Sequence, residues 1–218
     1  MSNYVLKYKR GNEVKYISHL DFVRFIQRVI RRAELPMLFS SGFNPHPLIN
    51  IALPLSVGVT SDGELMKIGL DGDFDEQFVM DTINKTFPPG FEIIGIKKVE
   101  GKEIDFNKIN KAVYKCDCLL EKEINIDIPS FLAKDSLLVM KKSKSGIKEA
   151  DILPHIHSLE CTQDKINITL KMCVDAGNSY NLKPDTVIEA MEKYIDGFKT
   201  TFFNVHRCAL LADDKELM

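Results

Sequence analysis

The order of the elements that the sequence predicts indicates an α+β fold, with two tandem ferredoxin-like (βαββαβ) halves and antiparallel sheets. Over the first 100 residues, period-two and period-3.6 hydrophobic patterns follow one another as strand, helix, strand, strand, helix, strand. The remaining residues give a similar order less clearly and without a residue-level repeat. We therefore expect a ferredoxin-like domain at 1–100 and a second, acidic ferredoxin-like domain at 101–218.

Helix caps and turn-forming residues set the bounds of the elements in the first half. Ser18 is a hydroxyl N-cap with Asp21 three residues later, and Pro36 stops the helix that follows. Asp62-Gly63 predicts a hairpin turn. The predicted strands are 4–9, 13–17, 48–59, 64–70 and 91–99, and the predicted helices are 18–33 and 74–85.

The second half has weaker patterns. Its predicted strands are 112–120, 137–142, 166–174 and 201–211, its predicted helices are 129–134 and 184–195, and 155–161 is a further strand or hairpin arm. The run Lys141–Lys144 is typical of a solvated turn. Cys116 and Cys118 are expected to be buried small hydrophobes. His155-x-His157 could ligate a metal from one strand face, but no partner ligands can be assigned to the pair, so a metal site is not expected.

Composition excludes several classes of protein. The 218 residues are 44% hydrophobic and 28% charged, which is ordinary for a globular chain and excludes wholesale disorder and a collagen-like structure. No apolar run approaches the ~18–20 residues that span a bilayer, and the N-terminus lacks a signal-peptide core, so we expect a cytoplasmic protein. Five cysteines, an odd number, do not resemble a secreted disulfide framework. Walker A, dinucleotide-binding glycine and nucleophile-elbow motifs are absent from the sequence.

The charge is distributed unevenly. The net charge of the chain is −2, but residues 1–50 carry eight Lys or Arg against three Asp or Glu. These 50 residues therefore have a net charge of +5, and the other 168 have a net charge of −7. A basic segment on an acidic chain indicates a local anion-binding face, for which nucleic acid or polyphosphate is the usual ligand.

Most of this positive charge falls on one face of the first predicted helix. At about 100° per residue, Arg28, Arg31, Arg32 and Asp21 lie within about 80° of Arg24, and the apolar side chains lie on the far side. The sequence therefore predicts one packed face and one row of guanidinium groups.

A second set of candidate residues comes from the start of this helix and the loop that follows it. The expected pocket residues are His19, Asp21, Ser41, Gly42, Phe43, Asn44 and His46. Gly42 allows the loop backbone to approach a ligand closely, and Pro45 and Pro47 stiffen the loop. If this loop folds over the start of the helix, both histidines, a carboxylate and several arginines share one pocket.

Three interpretations of these residues stay open. In the first, the arginines contact RNA phosphates and Phe43 stacks on a base. In the second, His19 and His46 act as general base and acid in cleaving or modifying RNA, with Asp21 orienting one of them. In the third, the residues are structural: His19 and Asp21 cap the helix, and His46 hydrogen-bonds within the loop. For the chain as a whole, this leaves a protein-interaction module in which the acidic second half docks a partner and the arginines form ion pairs.

Several runs of residues carry a family resemblance over about residues 3–70. They are Lys9-Arg10-Gly11, Tyr16-Ile17-Ser18-His19-Leu20-Asp21, Arg31-Arg32-Ala33-Glu34-Leu35-Pro36, Phe39-Ser40-Ser41-Gly42-Phe43-Asn44-Pro45-His46-Pro47, Ala52-Leu53-Pro54-Leu55 and Gly58-Val59. In these runs the sequence resembles the bacterial radical-SAM-linked (radical SAM-associated) protein family, a domain of unknown function.

The resemblance implies a chain that is encoded beside, or fused to the C-terminus of, a radical SAM enzyme and that assists it. The sequence contains no CxxxCxxC, so the [4Fe–4S] cluster and S-adenosylmethionine are expected on that partner and no cofactor or metal is expected in this chain. We expect an accessory protein that binds RNA or an RNA-linked substrate and has no catalytic activity by itself.

Overall fold

The computed structural model describes residues 1–101, 104–143 and 146–218, and the predicted α+β class is confirmed. The chain divides into two compact units, residues 1–109 with 215–218 and residues 110–214. The predicted lysine-rich turn at 141–144 lies partly outside the described residues. None of the helices in the described ranges is long and apolar enough to cross a bilayer.

The first unit contains four antiparallel sheet strands and two long helices. Its elements are β1 (Ser2–Arg10), α1 (His19–Arg32), β2 (Ile49–Ile51), β3 (Thr60–Leu70), α2 (Glu76–Thr86) and β4 (Phe91–Val99), with 3-10 helices at Asn12–Val14 and Phe106–Lys108. The strands pair in the order β4-β1-β3-β2, and every pair is antiparallel. The predicted order of strands and helices is the observed one in this unit.

The buried face of α1 packs on β1 and β4 through aromatic rings. The ring of Phe22 stacks at 5.3 Å from Tyr8 on β1 and at 5.4 Å from Phe91 on β4, measured between centroids. Phe25, one turn further along α1, lies 4.9 Å from the same Phe91 ring. The 3.6-residue spacing of these rings is the reason that the opposite face of α1 is left to the arginines.

The segment predicted as a short strand at 13–17 is instead a turn around a buried arginine. Arg10 is 3% exposed, and its Nε donates to the carbonyl of Val14 at 3.3 Å. Its Nη2 donates to the carbonyl of Lys15 at 3.2 Å and to that of Ile17. Because one guanidinium satisfies three carbonyls, this segment does not need a neighbouring strand.

The predicted hairpin at Asp62-Gly63 is wrong, because both residues lie inside β3. Arg10 pairs with Ser61 and Tyr8 pairs with Glu64, so Asp62 and Gly63 form an irregularity in the β1–β3 ladder. The connection between β2 and β3 is residues 52–59, where the predicted strand contained a proline that cannot donate to a ladder.

The second unit contains four antiparallel sheet strands and a separate hairpin. Its elements are β5 (Lys111–Leu120), α3 (Ile128–Leu132), β6 (Leu138–Ser143), β7 (Gly146–Asp151), β8 (Ile156–Asp164), β9 (Asn167–Asp175), α4 (Pro184–Tyr194) and β10 (Thr200–Ala212), with a 3-10 helix at Leu153–His155. The strands of the sheet pair in the order β10-β5-β9-β8, and β6 pairs with β7. The last strand of the chain, β11 (Lys215–Glu216), belongs to the first unit.

The two units differ in the connection that follows the first strand of each unit. The first unit has the 14-residue α1 there, and the second has the five-residue α3 followed by the β6–β7 hairpin. The description of both halves as ferredoxin-like therefore stays an interpretation of the strand order.

Two of the five thiols of the second unit lie in its interior. Cys116 and Cys118 are buried on one face of β5, as their spacing predicts. Burial raises the pKa of Cys118 to about 12 and also raises that of Cys116. Both side chains therefore remain neutral thiols at physiological pH.

Replacing Arg10 with methionine is expected to lower the free energy of unfolding by about 3 kcal/mol, because it removes the hydrogen bonds of a buried guanidinium to the segment before α1. Urea denaturation followed by circular dichroism measures this change. Lys9→Met is the matched control, since Lys9 makes only a surface ion pair with Glu92 at 3.3 Å, and it is expected to change stability by less than about 1 kcal/mol. Equal effects of the two substitutions would contradict the role assigned to Arg10.

Candidate functional site

The start of α1 is fixed by a capping interaction that the sequence predicts. The hydroxyl of Ser18 accepts a hydrogen bond from the backbone N–H of Asp21 at 3.2 Å and donates one to the Asp21 carboxylate at 2.7 Å. The other carboxylate oxygen of Asp21 lies 3.5 Å from a guanidinium nitrogen of Arg24. Asp21 therefore takes part in the helix cap and also forms an ion pair with Arg24.

The arginine row is the exposed face of α1 and consists of Arg24, Arg28, Arg31 and Arg32. At 1.5 Å per residue, the row extends about 12 Å along the helix. Within the part of the chain that the structure describes, the only ion pair of this row is the one between Arg24 and Asp21, and the other three guanidinium groups have no carboxylate partner. The predicted separation of a packed face and a cationic face is observed.

The helix ends in a left-handed residue that turns the chain toward β3. Glu34 has a φ of +55°, and its N–H donates to the carbonyl of Arg31 at 3.1 Å. The N–H of Leu35 reaches the carbonyl of Ile30 at 3.2 Å, which closes the last turn. The carbonyl of Pro36 then accepts from the N–H of the residue that follows β3, at 2.7 Å.

The predicted loop is a hairpin whose base is attached to the end of β3; we call residues 38–48 the 38–48 hairpin. Leu38 N–H donates to the carbonyl of Gly69 and Gly69 N–H donates to the carbonyl of Leu48, both at 2.9 Å. Leu48 N–H closes the base by donating to Leu38 at 2.8 Å. A Cβ at position 69 would lie 3.2 Å from the Cβ atoms of both leucines, so this close approach favours glycine.

The tip of the 38–48 hairpin is closed by its own hydrogen bonds and extends into solvent. Ser40 N–H donates to the carbonyl of His46 at 2.8 Å, and His46 N–H donates to the Ser40 hydroxyl at 3.0 Å. The residues between them, Ser41, Gly42, Phe43, Asn44 and Pro45, are all exposed. The phenyl ring of Phe43 is fully exposed.

The structure does not bring His19 and His46 together. Arg10, which holds the segment before His19, pairs with Ser61 near the start of β3, whereas the base of the hairpin pairs with Gly69 near its end. Eight residues of strand separate these points by about 26 Å. Among the described residues, neither imidazole makes a hydrogen bond or an ion pair. The hairpin lies instead at the end of β3, and the chain reaches it directly from the C-terminal end of α1.

A second cluster, in the second unit, was not predicted from the sequence. Nδ1 of His155 lies 2.7 Å from one carboxylate oxygen of Asp175, and Nε2 of His157 lies 2.5 Å from the other. The His155 ring also stacks on Tyr180, with 3.5 Å between centroids and 10° between planes. His155-x-His157 was visible in the sequence, but its carboxylate comes from β9, eighteen or more residues later, and only strand pairing identifies it.

In this cluster, one ionised carboxylate orients two imidazole rings. Burial raises the pKa of Asp175, but the hydrogen bonds from His155 and His157 outweigh burial and hold that pKa below its usual range. The register of β8 shifts next to His157, which is how a bulge re-aims a side chain. In the described ranges, no three His, Cys, Asp or Glu side chains are arranged to hold a metal ion.

A family model described as "Uncharacterized protein conserved in bacteria (DUF2344)" matches residues 3–184. The chain belongs to this family. The resemblance seen in the sequence is thereby confirmed to the extent of a bacterial domain of unknown function. No curated protein matches this DUF2344 chain.

Two solved structures resemble the DUF2344 chain weakly. An H/ACA ribonucleoprotein bound to a substrate RNA containing 2'-deoxyuridine aligns with 94% of this chain and 46% of its own, at 8% identity and a TM-score of 0.49. The DUF2344 chain thus spans about half the length of that protein. An unknown protein from Galdieria sulphuraria aligns with 94% of this chain and 98% of its own, at 10% identity and a TM-score of 0.28. At these scores, neither likeness carries an inference about function.

Replacing Asp175 with asparagine is expected to destabilise the protein at pH 7 and to have little effect at about pH 2. A carboxylate with a lowered pKa contributes stability above its unfolded pKa of about 3.9 and loses it as the pH falls through the folded value. Urea denaturation of both proteins at the two pH values measures the difference. Asp135→Asn, at an exposed position, is the control, and a loss of stability that is the same at both pH values would contradict this explanation.

Proposed function

We propose that this chain binds RNA, or a substrate linked to RNA, through the arginine row and serves as an accessory protein to a radical SAM enzyme. The observation that carries the proposal is the exposed position of Arg28, Arg31 and Arg32 without carboxylate partners among the described residues. Guanidinium groups bind phosphate oxygens in a bidentate manner, and rows of such groups follow the backbone of a nucleic acid.

The uneven charge supports a localised anion site rather than general attraction. The whole chain is slightly acidic, so its average field does not attract RNA, but its first 50 residues have a net charge of +5. The basic residues of α1 concentrate this charge over about 12 Å. Within a Debye length of about 8–10 Å, such a row attracts phosphates even when the rest of the chain is acidic.

A role in binding rather than catalysis is supported by the positions of the two histidines. His19 follows the segment that Arg10 holds near the start of β3, whereas His46 lies on the hairpin that is attached near the end of β3. The carboxylate of Asp21 already bonds the Ser18 hydroxyl and Arg24. A general acid and a general base must both reach one substrate, within about 3 Å of the atoms they protonate or deprotonate. The proposal therefore assigns the chemistry to a partner.

The radical SAM partner is proposed from the resemblance of residues 3–70 to the radical-SAM-linked family. The chain has no CxxxCxxC motif, and Cys116 and Cys118 are buried neutral thiols. The [4Fe–4S] cluster and S-adenosylmethionine are accordingly assigned to the partner, and this chain would present the RNA.

RNA binding is tested with the double variant Arg28→Glu/Arg31→Glu. For single-stranded RNA, each neutralised phosphate contributes about −0.7 to the slope of log affinity against log salt. We expect a slope of about −2 to −3 for the unmodified chain and a weaker slope, with lower affinity, for the variant. Filter binding of labelled RNA across a salt series measures both quantities.

The matched control for this experiment is Lys85→Glu, which changes the charge of an exposed residue in the last turn of α2. This substitution is expected to leave the slope unchanged. The absence of RNA binding by the unmodified chain, or equal losses for the control and the double variant, would refute the RNA proposal and favour a protein-interaction module.

The partner proposal has a separate test. The tagged chain, isolated from its native cells without oxygen, is expected to retain a protein that contains iron and sulfide and cleaves S-adenosylmethionine. Colorimetric iron and sulfide assays on the captured complex measure this outcome, with the tag alone as the control. A retained complex without iron would contradict the assignment of the partner.

A further inference from the structure

We infer that the 38–48 hairpin makes this surface selective for unpaired RNA, with the ring of Phe43 stacking on one unstacked base. The inference rests on the RNA binding proposed above and adds the class of RNA that is bound.

Phe43 has no structural role that the described residues reveal. Its relative exposure is 110%, so its ring touches no other part of the chain to a significant extent. The neighbouring Gly42 has a φ of +119°, and a Cβ placed there would meet nothing within 4 Å. The glycine therefore sets the backbone of the tip, and the phenyl ring remains available for contact with a ligand.

The hairpin holds this ring on a stiff support. Pro45 and Pro47 fix two backbone φ angles just after the tip, and Phe39 pairs with Pro47 across the hairpin. The bonds between Ser40 and His46 close the tip, at 2.8 and 3.0 Å. Because the backbone that carries the ring is already ordered, binding costs little backbone conformational entropy, which favours affinity.

The attachment of the hairpin places it near the end of the arginine row. After Arg31 and Arg32 the chain turns at Glu34, and Met37 pairs with Leu70 at the end of β3. The hairpin begins at the next residue. A strand of RNA can therefore contact guanidinium groups with its phosphates and the phenyl ring with a base.

Unpaired RNA fits this arrangement better than a duplex does. The bases of a duplex are stacked on one another, and the readable face of A-form RNA is shallow, so a ring on a hairpin cannot insert beside one base without breaking the stack. The bases of loops, bulges and ends are free to stack on aromatic side chains. The alternative is that the ring inserts into a hydrophobic pocket of a protein partner. The guanidinium groups at the C-terminal end of α1 favour RNA instead.

The test compares Phe43→Ala with the unmodified chain on two probes, a 12-nucleotide single strand and the same strand paired with its complement. Single-strand affinity is expected to fall roughly 5- to 150-fold, the range found when one stacking aromatic is removed. The affinity of the unmodified chain for the duplex is expected to be weaker than for the single strand, and Phe43→Ala should change it less than about twofold. Because the ring is fully exposed, the urea midpoint of the variant should equal that of the unmodified chain.

A fluorescent base gives a direct readout of stacking. With 2-aminopurine placed at successive positions of the single strand, one position should be quenched by the unmodified chain and by Phe43→Tyr, but not by Phe43→Ala. Arg28→Glu is the companion variant and should weaken binding of both probes.

The outcomes separate the two proposals. If the unmodified chain binds neither probe, the proposed RNA binding is wrong and this inference falls with it. If the chain binds RNA and Arg28→Glu weakens it, but Phe43→Ala leaves single-strand affinity and quenching unchanged, RNA binding stands and the stacking inference is overturned. The ring would then be assigned to a protein partner.

Discussion

The buried guanidinium of Arg10 is the contact on which the first unit depends. A cation at 3% exposure loses most of its hydration, and contacts within the protein must offset that loss. Three of its hydrogen bonds go to carbonyls of the segment between β1 and α1. By holding this segment against the end of β1, Arg10 positions the residues that lead into the Ser18 cap of α1. The apolar spacing of α1 then decides which face packs on the sheet and which face carries the arginine row.

The position of the arginines within α1 separates a structural role from a binding role. Cations near the C-terminal end of a helix are stabilising because the carbonyl end of the helix dipole is negative, and Arg31 and Arg32 are in the last turn. This effect falls off within one turn, so it does not account for Arg28 or Arg24. Arg24 has Asp21 as its partner. Arg28 remains the residue of the row that neither the helix dipole nor an ion pair explains, and it is the most informative position of the surface.

Local patterns in the sequence predicted the elements well where each element satisfies its own hydrogen bonds. The cap at Ser18 and the stop before Pro36 placed α1 within one residue of its observed bounds, and β4 matches its predicted range. The errors arose where a group outside the predicted element decides its structure: the side chain of Arg10 at 13–17, and the pairing of β3 with β1 on both sides of Asp62-Gly63. The same distinction between local pattern and long-range pairing applies to the candidate site. The amphipathic face of α1 was predictable from 3.6-residue spacing, but the separation of His19 from His46 and the meeting of both later histidines at Asp175 depend on strand pairing.

Charge and shape act at different ranges in the surface proposed here. The attraction of the arginine row extends over about a Debye length, 8–10 Å at physiological ionic strength, and does not depend on the bases of the nucleic acid. Stacking on Phe43 requires contact and an accessible base face. A protein with the row alone would bind any polyanion, and one with the ring alone would bind RNA too weakly to select it. Because the 38–48 hairpin follows the C-terminal end of the arginine row and is attached to the end of β3, the proposed attraction would bring a strand close to the ring that contacts its bases.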